Sequence, residues 1–180
     1  GRLVGSEMCI RDSGEVEVIT DLLVNNNMRW EATEVGNWSI SASAFNIADS
    51  VTMTVHHGQA VAILAALDTS EQTAGGMINI VVTGTDSDGN TFPQLVEWTE
   101  DGVVVENITA GSDEGTYAFM ATIAGPHTLD YSTGSVSNSA NISVDALYIV
   151  HSLTIELSSE SIDQLGSFTV TVKAFDEYLN

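Results

Sequence analysis

The chain has 180 residues, 43% of them hydrophobic, with 25 Asp and Glu against four Lys and Arg, for a formal net charge of −21. Nucleic acid and anionic lipid both demand clustered basic side chains, so this balance excludes them as partners. Apolar and β-branched runs such as Ile78–Thr83 and Leu153–Leu157 are too frequent for a disordered acidic chain, and no stretch of 18 apolar residues reads as a membrane-spanning helix.

Residues 1–13 stand apart. Leu3 through Asp12 back-translates, in one frame and without gaps, to a string that resembles a transposase adapter used to prepare DNA for short-read sequencing, and Ser13 continues it. The expectation is an unstructured scar, with the natural chain beginning upstream of Gly14 and continuing past Asn180 as a metagenomic fragment. Cys9 is the only cysteine, so the remaining residues offer no disulfide, thiolate ligand or thiol nucleophile. Arg29 and Lys173 are the only basic residues left outside the scar. Such an anionic surface suits a saline habitat, where salt shortens the range of self-repulsion to ~3 Å at 1 M.

The chain repeats at 89–90 residues. Trp30–Gly36 aligns with Phe119–Gly125 through a shared Ala-Thr-x-x-Gly, and Asp86–Asn90 aligns with Asp176–Asn180. Met53 and Val55 fall over Ile142 and Val144 in the same hydrophobic phase. The period divides the chain into the back half of one domain (14–57), a complete domain (58–147) and the front of a third (148–180).

Within the complete domain the hydrophobic period is two. Ala60–Leu67 reads as a first strand. Met77–Thr85 places Ile78, Ile80 and Val82 on one face. Leu95–Thr99 turns Val96 and Trp98 away from Glu97, and Val103–Ile108 follows a tight Glu-Asp-Gly turn. Thr116–Ile123 aligns Tyr117, Phe119, Ala121 and Ile123; Thr128–Ser132 leaves the phase of Leu129 and Tyr131 open; Ala140, Ile142 and Val144 alternate with polar partners. Seven short strands between Gly, Asn, Asp and Ser turns predict an all-β sandwich with no helix.

The apolar first strand, the second strand ending in Asp-x-x-Gly-Asn, the Val-x-Trp strand, the Gly-x-Tyr-x-Phe strand and the closing Asn-Ile-Ser-Val strand resemble bacterial immunoglobulin-like repeats. These are modules of invasin- and intimin-type surface proteins. The resemblance implies tandem immunoglobulin-like sandwiches, extracellular or at the cell surface, that act as stalks, spacers or adhesive modules, and it brings no catalytic residues. Asp113–Phe119 also matches the Asp-x-Gly-x-Tyr-x-Cys of antibody-type domains with Phe for Cys, which would put Tyr117 on the sixth strand. The strand count makes it the fifth, because a paired segment over 127–145 must still follow.

Asp86, Asp88 and Asn90 form the sharpest candidate site. Alternating oxygen ligands around Gly89 begin many calcium loops, yet the bidentate acid that should follow is replaced by Thr91-Phe92-Pro93, and the repeat copy lacks the second carboxylate and the glycine. An Asx-type turn is the plainer expectation. Calcium bridging a domain junction is a separate reading, motivated by Asp68, Glu71, Asp113, Asp130 and Asp145. His56 and His57 are adjacent, so on a strand they point oppositely and read as a solvated linker pair, and His127 and His151 read as surface or junction residues. Asn37, Asn107 and Asn141 head glycosylation sequons. Trp30, Trp38 and Trp98 read as core.

No nucleophile elbow or phosphate loop is present. The expected function is therefore a non-catalytic structural or adhesive array in a large secreted or cell-surface protein, partnered by its neighbouring repeats and by cell-surface glycan or protein. A ligand-binding module and the accessory array of a secreted hydrolase are the alternatives.

Overall fold

A computed structural model describes residues 6–11, 16–19, 31–44 and 47–180, and Trp30 lies outside them. The chain divides into two compact units, one of Gly1–Val61 with Thr85–Phe92 and the other of Ala62–Gly84 with Pro93–Asn180.

In the first unit, β1 (Ser6–Arg11), β2 (Val16–Ile19), β3 (Gly36–Ala44) and β4 (Ile47–Val55) form one antiparallel sheet in the order β2-β1-β3-β4. Strand β3 alternates Trp38 and Ile40 with Asn37 and Ser39, and Trp38 is buried opposite Met53 of β4. The sequence reading expects residues 1–13 to be unstructured, whereas Ser6–Arg11 pairs with both β2 and β3. An unpaired β3 would expose a row of backbone donors and acceptors, and β1 satisfies them.

The second unit contains β5 (Ala62–Leu67), β6 (Glu71–Thr73), most of β7 (Met77–Thr85), β9 (Glu97–Glu100), β10 (Val103–Val104), β11 (Ile108–Ala110), β12 (Thr116–Met120), β13 (Gly125–Thr133) and β14 (Val136–Asp145), followed by the β15 (Ser152–Leu157) and β16 (Val170–Phe175) pair. One sheet runs β11-β12-β7-β5, with β8 (Thr91–Pro93) off that order, and the other runs β10-β9-β13-β14-β6. Lettered in chain order, these are D-E-B-A and C′-C-F-G-A′, the strand order of the immunoglobulin sandwich. The short β6 lies parallel to β14, pairing Glu71 with Ser143 and Thr73 with Asp145. In the first unit, β2-β1-β3-β4 has the order of β10-β9-β13-β14, so β1 occupies the place that β9 holds here.

The core lies where the period-two phase puts it. Ile78, Ile80 and Val82 of β7 and Leu129 of β13 are fully enclosed, and each such side chain contributes about 1.5–3 kcal/mol by leaving water. Trp98 of β9 packs between Tyr117 of β12 and Tyr131 of β13, with ring centroids 5.4 and 5.0 Å away. Both tyrosine hydroxyls are anchored: Val96 N–H donates to Tyr117 (2.8 Å) and Ala65 N–H to Tyr131 (2.9 Å). The second bond joins the two sheets. Tyr117 falls on the fifth full strand, E, with the β13–β14 hairpin after it, as the strand count requires.

Three details differ from the sequence reading. The segment 103–108 is not one strand, because β10 belongs to one sheet and β11 to the other, and the chain must cross between them. Strand β12 ends at Met120, which leaves Ile123 exposed rather than in line with Tyr117 and Phe119. Leu129 and Tyr131, two residues apart, share the inner face.

Candidate functional site

The Asp86–Asn90 turn is organised around one carboxylate. Asp86 is buried, and its Oδ1 accepts from Asp88 N (3.0 Å), Asn90 N (2.9 Å) and Asn90 Nδ2 (3.1 Å). Its Oδ2 accepts from Gly58 N (2.9 Å) and again from Asn90 Nδ2 (3.0 Å). Asn90 reaches further, donating Nδ2 to the Thr33 carbonyl (2.9 Å) while its Oδ1 accepts from Val35 N (3.4 Å). Gly89 closes the turn at φ 88°, a conformation that favours a residue without Cβ. The loop therefore ties itself to residues 33–35 and to Gly58, all within the first unit.

The second unit carries the same device. Asp176 is buried and accepts from Leu147 N, Tyr178 N, Asn180 N and Asn180 Nδ2, each at 2.9 Å. Asn180 donates Nδ2 to the Thr122 carbonyl (2.9 Å) and accepts from Ala124 N (2.7 Å). Every partner is displaced by 89 or 90 residues from its counterpart: Thr33 and Thr122, Val35 and Ala124, Gly58 and Leu147, Asp86 and Asp176, Asn90 and Asn180. Tyr178 adds a contact against Gly75, where an added Cβ would fall 2.6 Å from the Tyr178 hydroxyl.

The electrostatics follow from the donors. The Asn90 side chain and the Gly58 amide hold Asp86 down to about 2 against the opposing effect of burial. For Asp176 burial is the largest influence and pushes upward, but the combined donors from Asn180, Leu147 and Tyr178 outweigh it and bring it to about 2. Both carboxylates are thus ionised and compensated by hydrogen bonds from protein donors.

This geometry bears on the calcium reading. Asp88 enters the turn through its backbone N–H, and Tyr178 does the same at the matching position without a carboxylate. Both oxygens of Asp86 are already engaged by protein donors. Among the described residues no group of three or more His, Cys, Asp or Glu side chains could hold a metal ion.

The other singled-out residues scatter. Asn37 on β3 and Asn141 on β14 are exposed, their Oδ1 atoms accepting from Thr54 (2.7 Å) and Thr128 (3.0 Å). Asn107 commits its Nδ2 to the Met120 carbonyl (2.6 Å). His57 is exposed and stacks on Phe92, with ring centroids 3.5 Å apart and 8° between the planes, beside the first turn. His127 meets Glu100 (2.8 Å) and the Ile123 carbonyl (2.7 Å). The sequence hides that pair, because the partners lie on neighbouring strands 27 residues apart.

The strand order and the two equivalent turns define tandem immunoglobulin-like modules. No protein-family model and no curated protein matches the chain. Among solved structures it is similar to invasin, a bacterial integrin-binding protein, at 18% identity and TM-score 0.49, covering 97% of this chain and 40% of that one. It is also similar to domains 1–6 of the surface-layer protein SbsC, at 20% identity and TM-score 0.38, covering 81% of this chain and 20% of that one. A glycosyl hydrolase family 2 member from Bacteroides cellulosilyticus follows at 15% identity and TM-score 0.40, covering 76% and 23%. The chain spans well under half the length of each of these proteins, and the likeness is one of fold.

Proposed function

We propose that the chain is a non-catalytic, structural stretch of tandem immunoglobulin-like modules in a large secreted or cell-surface protein, with its neighbouring modules as its first partners. The observation that carries this reading is the recurrence of the Asp–Asn turn. In both copies it reaches back to the residues just before an F-type strand and to the segment just after a G-type strand. A device used twice at the same places is what a repeating array needs. The parallel pairing of β6 with β14 supports the same reading. A pull on the ends of that sandwich loads those strands in shear, so several hydrogen bonds must break together. Exposed Asn37 and Asn141 would carry glycan outward in such an array.

Single-molecule pulling on the full chain tests the proposal. The structural role expects a distinct unfolding event from residues 62–147 at higher force than opening of the β15–β16 pair. Opening of both at the same low force would argue against load-bearing. Saturable binding of the unmodified chain to a glycan array would instead favour a ligand-binding module.

A further inference from the structure

The Asp–Asn turn keeps its ends and varies its middle. Asp86 and Asp176 open the two copies and Asn90 and Asn180 close them, whereas the third place holds Asp88 in one and Tyr178 in the other. Both third residues make the same backbone contact, their N–H groups donating to the Oδ1 of the opening aspartate at 3.0 and 2.9 Å. Their side chains then part. Asp88 is exposed, while Tyr178 is half-buried with its ring against Gly75. A Cβ on Gly75 would lie 2.6 Å from the Tyr178 hydroxyl, 3.1 Å from its Cε2 and 3.2 Å from its Cζ, so the ring fills the space that any side chain at this position would need.

Gly75 belongs to a firm floor. It lies in the turn between β6 and β7 at φ 88°, and its N–H donates to the Ala121 carbonyl (2.7 Å). Beside it, Ala74 N–H donates to the Asp145 carbonyl (2.8 Å) and Ala121 N–H to the Gly76 carbonyl (3.1 Å). These backbone bonds tie the β6–β7 turn to the residue after β12 and to the last residue of β14, and Ala74 and Ala121 are buried. Thr122, Ala124 and Leu147, the partners of Asn180 and Asp176, continue from the same two segments. Glycine at position 75 is therefore required twice, by the backbone conformation and by the ring that rests on it.

We propose that this end of the 62–147 sandwich is a selective acceptor for the turn of the module that follows it, with Gly75 as the residue that selects an aromatic ring at the third place. The aspartate and asparagine supply the attachment common to both copies, and the third residue distinguishes one copy from the other. The partner that fits is a turn of the form Asp-x-Tyr-x-Asn, carried here by the Asp176–Asn180 segment just after β16. A ring laid on bare backbone shields the neighbouring carboxylate bonds from water and so strengthens them. An aspartate in its place would bring a charge to a floor whose N–H groups are already engaged, and burying it there would be unfavourable. This inference rests on the tandem-module reading and adds which neighbour a module accepts.

NMR relaxation of the backbone amides in the full chain tests it. In the wild type, residues 62–147 and 148–180 should tumble with a common correlation time, and the Tyr178 ring protons should show a nuclear Overhauser contact to the Gly75 Hα. Tyr178→Asp, which copies the third place of the other turn, should abolish the common correlation time, with 148–180 moving faster while the Leu147 and Ala124 amides stay protected from exchange. Tyr178→Phe should behave as the wild type, because the ring and not its hydroxyl makes the fit. Gly75→Ala should release 148–180 from the opposite side of the contact, and should add little in the Tyr178→Asp background, where the displaced ring is already gone. Separate tumbling in the wild type, common tumbling in Tyr178→Asp, or an undiminished Gly75→Ala effect in the Tyr178→Asp background would overturn the proposal. Opening of the sandwich at low force would remove the load-bearing reading and leave the tumbling result unchanged, so the two failures are distinguishable.

Discussion

At Leu179 the backbone takes φ 68°, in the left-handed region where a Cβ costs ~1–2 kcal/mol, while Gly89 occupies the equivalent place in the first turn at φ 88°. The turn forms without glycine because Asp176 and Asn180 hold it from both ends. Leu179→Gly should therefore raise the stability of this loop by about 0.5–1 kcal/mol in thermal or denaturant unfolding of the full chain. Asn180→Ala removes the side-chain bonds to Thr122, Ala124 and Asp176, and should cost about 1–2 kcal/mol by leaving the partly buried Thr122 carbonyl and Ala124 amide without that partner. The pH response has a definite sign. Each folded aspartate sits at about 2, below the ~3.9 of an unfolded one. The contribution is thus complete above about pH 4 and is lost as pH falls through 2. Acid titration followed by the Tyr178 environment should show that transition in the wild type, and Asp176→Asn should remove it. The sequence displays Asp86, Asp88 and Asn90 equally; what it hides is that only the first and last side chains organise the turn, because their partners lie 28 to 57 residues away.

The strands were legible to the extent that their side chains alternate. Strand β7 matches its sequence reading residue for residue, because Ile78, Ile80 and Val82 meet the opposite sheet while Asn79 and Val81 face out. Strand β6 was invisible, since three residues are too short for a period and its parallel pairing depends on β14, some 70 residues on. The break between β10 and β11 was equally hidden, because a change of sheet leaves no mark in hydrophobicity. The packing of Trp98 between Tyr117 and Tyr131 makes Trp98→Ala the most damaging core change, costing about 3–5 kcal/mol; loss of cooperative unfolding monitored by circular dichroism would register it. In the β15–β16 pair Leu153, Ile155, Val170 and Val172 are exposed. Its amides should exchange with solvent well before those of β7 and β12, and equal protection would contradict this reading.

For the whole molecule, an acidic surface and repeated turns assign stability to two sources. Apolar burial between sheets holds the 62–147 sandwich, and the Asp–Asn turn holds the segment that follows it. The same arrangement in the first unit makes the turn a property of the repeat rather than of one loop. Amide hydrogen exchange by NMR on the full chain, comparing wild type with Asp176→Ala, tests this most directly. The account predicts that Leu147 and Ala124 amides are protected in the wild type and lose protection in the variant, while Ile80 and Phe119 in the core keep theirs. Unchanged protection at Leu147 and Ala124 would contradict it.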